Sequence, residues 1–555
     1  MIRHQKRFDE VNRRNSFRRW RRTFGESTLP IAVPFWVKPC TPFPGIPQSN
    51  ASQPVECDTT TARESVPHRR RVLAMIQSIT CRIRIDLGFV PRRMSTIMRH
   101  VGLMLACSFA VPAECARAAQ SVAISHVTVI DGTGAAPRPD TTVLIEGDRI
   151  ASVTPADDAA IPAGAVVVDG RGKFLIPGLW DMHVHLAKAG AGALPLFVAN
   201  GVTSVRDMGG DFAEVFKWRR EIAKGEKLGP RIKTAGPILE SASHVERMKR
   251  QGTVEPVERT RVPVANAEAA GPAVESIAKL GVDFLKVRTV ASLETYRAIS
   301  ESAKRVGLPL VGHAVAAPEE IIRAGQRSIE HVLFPPLNKT EQERNELFKE
   351  FVDSGIAVVP TLVNGEKSLF VSYEAAAAIV EDSDGKIDPR RKYLSGYLID
   401  DWREQVEERK SGAQIDWKKM APRLLRDVQE MHRAGVRIMP GTDVAVVLIF
   451  PGFSLHDELQ LLVREVGMTS MEVLVSATRH PAEFFGMQDA LGTVEAGKIA
   501  DLVLLDADPL EDIRNTQQIH GVMLNGKFMD RAALDEILAQ VAATARNQRK
   551  GDPKK

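Results

Sequence analysis

The chain has 555 residues, of which 44% are apolar and 26% charged, and its formal net charge is +5. That length exceeds one ordinary domain and suits a large barrel with an accessory domain, while the balance of residue types excludes a coiled coil and a chain disordered throughout. The charge excess lies before residue 94, so no nucleic-acid partner is read from it.

The five cysteines are Cys40, Cys57, Cys81, Cys107 and Cys115. A fold built after residue 116 therefore has no disulfide and no thiolate metal ligand. Residues 1–93 sustain no apolar period: arginine crowds Arg13 to Arg22, and residues 30–68 are rich in Pro, Ser and Thr. This composition predicts a disordered arm, or sequence upstream of the true start. From Met94 or Met98 the pattern changes. Arg99 and His100 give a short positive region, and Val101 to Val111 is an apolar run too short to span a membrane. Ala116-Arg-Ala118 then fits a small-x-small cleavage site. The three parts in order predict a secretory signal peptide over 94–118 and a periplasmic or secreted protein that begins near Ala119. A buried helix in a cytoplasmic protein is the competing reading.

Short strands and turns follow over 119–172, with a hairpin from Thr142 to Ile150 around Glu-Gly-Asp. Residues 486–535 repeat the style in Gly492-Thr-Val, Ala500-Asp-Leu-Val-Leu-Leu-Asp and Val522-Met-Leu-Asn-Gly-Lys, so both flanks are expected to build one small β-sandwich domain. Between them, residues 173–485 alternate strand and helix. Eight strand candidates stand at Phe174–His185, Val202–Met208, Arg231–Ile238, Phe284–Thr289, Leu308–His313, Ser328–Val332, Ala357–Leu362 and Val436–Asp443. Eight such units predict a closed parallel TIM (β/α)8 barrel of the α/β class. Residues 366–422, helical in period and carrying Trp402 and Trp417, are expected as an inserted lid or cap, and 536–555 as a tail.

Chemistry in such a barrel sits at the C-terminal ends of the strands. The first ends in Asp181-Met-His183-Val-His185, and residues two apart on a strand face one side. One H-x-H pair is common by chance. Its weight comes from Lys286, His313, His331 and Asp443, each ending a different strand candidate, so that five strands bring six ligand-type residues to one rim.

Pro177-Gly-Leu-Trp-Asp-Met-His-Val-His resembles the opening metal motif of the amidohydrolase superfamily. Gly312-His-Ala, Ser328-Ile-Glu-His331 and Gly441-Thr-Asp443 resemble its later ligand strands, and Leu491-Gly-Thr-Val-Glu-Ala-Gly-Lys-Ile-Ala-Asp-Leu-Val resembles the return to the β domain in imidazolonepropionase-like members. The resemblance covers residues 121–535 and implies hydrolysis of an amide, peptide or related bond by a metal-activated water. Lys286, in Val282-Asp-Phe-Leu-Lys-Val, stands where two-metal members carry a carboxylated lysine. These members include the Xaa-Pro, Xaa-Arg and Xaa-Lys dipeptidases. Aminohydrolase members place a glutamate three residues after the fifth-strand histidine; Ala316 stands here, which disfavours deamination. The resemblance implies two divalent metal ions, with zinc the expected metal. One takes His183, His185 and Asp443, the other His313 and His331, and modified Lys286 is shared. Asp443 is also the expected proton acceptor and donor.

His244 follows the third strand, where relatives carry a glycine-flanked histidine that polarises the substrate carbonyl; its context here is Ser241-Ala-Ser-His. Arg206 would grip a substrate carboxylate or form a structural ion pair. His126, His432, His456 and His480 read as structural or surface residues, and Met439 and Phe484 as core. The expected partner is a small-molecule substrate, a dipeptide or an N-acyl amino acid; no stable membrane span is expected, and a homo-oligomer is compatible with the sequence. A one-metal cyclic-amide hydrolase like imidazolonepropionase is the alternative enzyme. A non-catalytic binding protein on a barrel scaffold is the alternative from another class, and the intact ligand set speaks against it.

Overall fold

Short runs rich in β-branched residues build the first flank as β1 (Val122–Val129), β2 (Arg138–Glu146), β3 (Arg149–Pro155) and β4 (Val166–Asp169). The computed structural model describes residues 121–252, 256–331, 339–411 and 417–551; the arm at 1–93 and the signal segment at 94–118 lie outside them. The run from residue 174 to residue 185, expected as one strand, is two: β5 (Phe174–Pro177) and β6 (Leu179–Val184). Gly178 divides them, because a Cβ there would stand 2.1 Å from Thr203 Oγ1. β5 joins the flank sheet and β6 the barrel.

The barrel continues through β7 (Val202–Asp207), β8 (Arg231–Thr234), β9 (Ile238–Ser241), β10 (Arg261–Val264) and β11 (Leu285–Val287). It completes with β12 (Leu310–Gly312), β13 (Ser328–Glu330), β14 (Ala357–Val359) and β15 (Arg437–Ile438). Parallel ladders join β6 to β7 to β8, and β11 through β15 in order. The Asp283 N–H donates to Thr234 O at 3.0 Å and links β8 to the start of β11. Met182 N–H to Pro440 O at 2.9 Å and Asp443 N–H to His183 O at 2.7 Å bring the eighth strand back to the first. The eight strand candidates thus form one ring of TIM type. The third candidate, Arg231–Ile238, breaks after Thr234. Its continuation β9 pairs with β11 and with β10, a strand that the apolar pattern did not announce.

Four of the helices between the strands start at side-chain caps. Asp211, Asn266, Ser292 and Thr340 each accept a backbone N–H of the first helical turn. The second flank supplies β16 (Leu502–Leu505), β17 (Ile519–Leu524) and β18 (Lys527–Asp530). Together the flanks form one eight-stranded mixed sheet in the order β18-β17-β16-β5-β1-β2-β3, with β4 on β1. Its face carrying Ile124, Val143, Leu502 and Leu504 closes on a core of its own. Residues 536 onward, read as a tail, belong to the helix Arg531–Gly551, which packs on Leu194–Ala199 and buries Leu534 and Val541.

The inserted segment holds the helices Tyr373–Glu381 and Gly396–Ser411 and the start of Trp417–Arg433. Trp402 is fully buried, packs edge-on to Phe450 and donates its indole N–H to Ala445 O at 3.1 Å. Gln405 donates to the same carbonyl at 3.2 Å and accepts the Val447 N–H at 2.9 Å. The insertion therefore braces the loop that follows Asp443.

Candidate metal centre

Each ligand-type residue stands at the C-terminal end of a barrel strand, and the chain bends sharply there. His331, Thr361 and Asp443 adopt positive φ of 65°, 48° and 64°. Such backbone costs a non-glycine residue roughly 1–3 kcal/mol and gathers where function requires it. At Gly312 φ is 148°, and a Cβ would stand 2.0 Å from Val287 O; only glycine lets β12 approach closely enough to deliver His313.

His183, His331 and Asp443 meet at one point, with ligand atoms all within 4.8 Å of one another. His183 Nε2 lies 3.4 Å and His185 Nε2 3.5 Å from Asp443 Oδ1, and His331 Nε2 lies 4.0 Å from Oδ2. The His313 ring is edge-on to His331 with centroids 5.0 Å apart. Lys286 is 2% exposed at the end of β11. Burial, with Lys286 the largest charged neighbour, holds the His183, His313 and His331 pKa values well below 6.5, so these rings are neutral. Burial pushes Asp443 up to about 7 against the opposing charges of Lys286 and Arg288. The same desolvation holds Lys286 down to about 8.

The outer nitrogens are fixed. His183 Nδ1 donates to Glu330 Oε2 at 2.9 Å, and His185 Nδ1 donates to Gly209 O at 2.8 Å. His331 Nδ1 lies 2.7 Å from Thr361 Oγ1. An imidazole that donates through Nδ1 keeps its lone pair on Nε2, the arrangement found around metal-bound histidines. His183 Nε2 is buried and, among the described residues, has no hydrogen-bond partner. This donor set fits a divalent metal ion.

Arg206 is not at the rim. It is fully buried and donates through Nε to Met182 O at 2.6 Å, through Nη1 to Ser328 Oγ at 2.8 Å and through Nη2 to Glu330 at 2.8 and 2.9 Å. Its donors are spent on the carboxylate that orients His183, so the structural ion pair is the correct reading and the substrate grip is not. His244 stands in the first turn of the helix Ala242–Gln251, 2.9 Å from Arg288 Nη1 and bonded to Arg247. Among the described residues its side-chain partners are these arginines and none of the six ligand-type residues. His456 is buried between Thr516 and Asn200 O, and His126 pairs with Asp140 at the surface.

Three residues of the site escaped sequence reasoning. Glu330 immediately precedes His331 and orients His183 from a fully buried position, which the sequence does not mark. Asp181 accepts the Thr442 hydroxyl at 2.6 Å and its N–H at 3.0 Å, which ties the first strand to the eighth. Asn364, beyond the seventh strand, donates through Nδ2 to Asp443 Oδ2 at 2.9 Å. Nothing local in the sequence marks it.

Residues 400–529 match the model of the amidohydrolase family. Over 386 residues the chain is 24% identical to an imidazolonepropionase of Thermoplasma acidophilum (strain ATCC 25905 / DSM 1728 / JCM 9062 / NBRC 15155 / AMRC-C165), covering 67% of this chain and 84% of that one. The structure of phenylurea hydrolase B is similar, with a TM-score of 0.57 and 25% identity over 75% of this chain and 98% of that one. That of a Xaa-Pro dipeptidase with bound methionine in the active site shares the fold, with a TM-score of 0.54 and 23% identity over 74% and 100% of the two chains. The ring of strands, the rim of histidines and these likenesses support the amidohydrolase superfamily and hydrolysis of a carbon–nitrogen bond.

Proposed function

We propose that the chain hydrolyses an amide or peptide bond in a small substrate, a dipeptide or an N-acyl amino acid, with two divalent metal ions held at the barrel rim. The observation that carries this reading is the buried His183 Nε2, which among the described residues has no hydrogen-bond partner, at the point where His331 and Asp443 also converge. Imidazole and carboxylate donors suit zinc. His183, His185 and Asp443 would hold one ion and His313 and His331 the other, with carboxylated Lys286 as a further shared ligand. A free ammonium has no lone pair. With its pKa held down to about 8, Lys286 has an appreciable share of neutral amine near neutral pH, the form that adds carbon dioxide. When bound, the metal pair supplies Lewis acidity toward the substrate carbonyl and lowers the pKa of water. Asp443 takes the proton of the attacking water and delivers it to the leaving nitrogen, with its Oδ2 steadied by Asn364. His244 would polarise the carbonyl only by giving up its contact with Arg288 or Arg247, which face its two ring nitrogens.

Purified protein is expected to hold close to two divalent metals per chain, and His183→Asn to lose metal and activity together. Metal-free protein after growth in metal-rich medium would defeat the reading. The curated imidazolonepropionase relatives favour one second reading, a one-metal cyclic-amide hydrolase; a single metal with turnover of a cyclic amide, and none of dipeptides, selects it. The segment 94–118 further supports export. Mass spectrometry of protein made in a Gram-negative host is expected to find an N-terminus near Ala119 in the periplasm; an intact N-terminus on cytoplasmic protein contradicts export.

A further inference from the structure

Arg288 stands two residues beyond Lys286, and positions two apart on a strand face the same side. The ladder fixes its neighbours. His313 N–H donates to Val287 O at 3.1 Å on one side, and Arg288 N–H donates to Leu239 O at 3.1 Å on the other. Arg288 thus lies between the fifth-strand histidine and the end of β9. Its charge acts on Lys286, His313, His331 and Asp443 alike.

The guanidinium is both anchored and accessible. Nη1 donates to Glu240 Oε2 at 3.2 Å and lies 2.9 Å from His244 Nε2. Glu240 is fully buried and is itself fixed, accepting the Thr289 hydroxyl at 2.6 Å and facing Arg261 Nε at 3.4 Å. The Arg288 side chain is nevertheless 36% exposed, against 2% for Lys286. Among the described residues both of its hydrogen bonds use Nη1, which leaves the Nη2 and Nε donors uncommitted. Buried Arg206 has no such donors to offer.

We propose that Arg288 is the specificity residue of this site and binds a free carboxylate on the substrate, so that N-acyl amino acids and dipeptides with an unblocked C-terminus are preferred to their amides. The inference rests on the hydrolase reading above and names the group that selects its substrate. A guanidinium recognises a planar carboxylate through paired donors. The strand rise places the Arg288 backbone roughly 7 Å beyond that of Lys286, from where the side chain reaches a group one α-carbon away from an amide held at the ligand cluster.

The test compares N-acetyl-L-leucine with N-acetyl-L-leucinamide on zinc-loaded protein, by titration calorimetry and by release of the acetyl group. The wild type is expected to favour the acid by roughly 10- to 100-fold, the worth of a charge-assisted hydrogen bond. Arg288→Met is expected to abolish the preference through KM rather than kcat, and Arg288→Lys to keep part of it. Metal content and melting temperature are followed in each; if Arg288→Met fails to fold because Glu240 is left less compensated, Arg288→Lys decides, since it keeps the charge and loses the fork. Equal binding of the two compounds by the wild type, or a preference that survives substitution, overturns the proposal. Selective binding of the acid without cleavage leaves the subsite standing and defeats the hydrolase reading instead; cleavage of both compounds without preference does the reverse.

Discussion

A histidine presents a lone pair to a cation only through the ring nitrogen that carries no proton. At His183 that choice is made by Glu330, and Glu330 is in turn held by Arg206 and Ser328. Arg206 therefore acts on the centre from below, through two intermediaries. Removing one partner of a buried ion pair leaves the other charge uncompensated, at a cost of roughly 3–5 kcal/mol. Arg206→Met is expected to lower the unfolding free energy by about that much and to weaken metal retention. Arg206→Met with Glu330→Gln should cost less than the first change alone. A change confined to KM, with stability intact, would return Arg206 to the substrate. Lys286 makes a different prediction. If its carbamate completes the centre, Lys286→Ala loses activity and regains part of it with added short-chain carboxylates, which can fill the same position. No regain at any concentration, in protein shown to be folded, argues against the modification.

The strand ends that carry the ligands depend on elements far away in sequence. Trp402 belongs to the insertion, yet its indole N–H is spent on Ala445 O, two residues past Asp443. Replacing a buried tryptophan with alanine removes its packing and opens a cavity, at roughly 3–5 kcal/mol. Trp402→Ala is expected to lose stability in that range and to release metal at lower chelator concentration than the wild type, because the loop after Asp443 loses its brace. An unchanged chelator profile would mean that the loop holds its shape alone. The eight barrel strands were legible because β-branched and aliphatic runs of strand length alternate with helical ones, and the histidines because their spacing puts them at strand ends. The division at Gly178 was not legible: apolar runs continue on both sides of it, and only the approach of Thr203 requires the break. Nor was β10, whose Arg-Val-Pro-Val carries no sustained pattern. Asn364 and Arg288 acquire meaning only when the ring brings strand seven to strand eight and strand four to strand three.

At the scale of the whole molecule, β16 stands between two cores. Leu502 and Leu504 turn into the core of the flank sheet with Ile124 and Val143, while Val503 and Leu505 turn into the barrel core with Phe197 and Val522. Period-two alternation makes this sharing unavoidable once both faces are covered. The flank sheet and the barrel therefore cannot exchange a strand for water separately. Val503→Asp and Leu504→Asp each bury an unpaired carboxylate, one on each face, and each should cost about 4 kcal/mol or more. In urea, metal release read with a chromophoric chelator is expected to coincide with loss of far-ultraviolet circular dichroism in the wild type and in both variants, as one cooperative unit requires. Stripping metal beforehand should move both probes together to lower urea, since a ligand that binds only the folded state at 100 times its Kd adds about 2.7 kcal/mol. If the sheet instead folded as an independent body, Leu504→Asp would show an early transition with metal still bound, while Val503→Asp would not. That split would place the boundary between two cooperative units within a single strand.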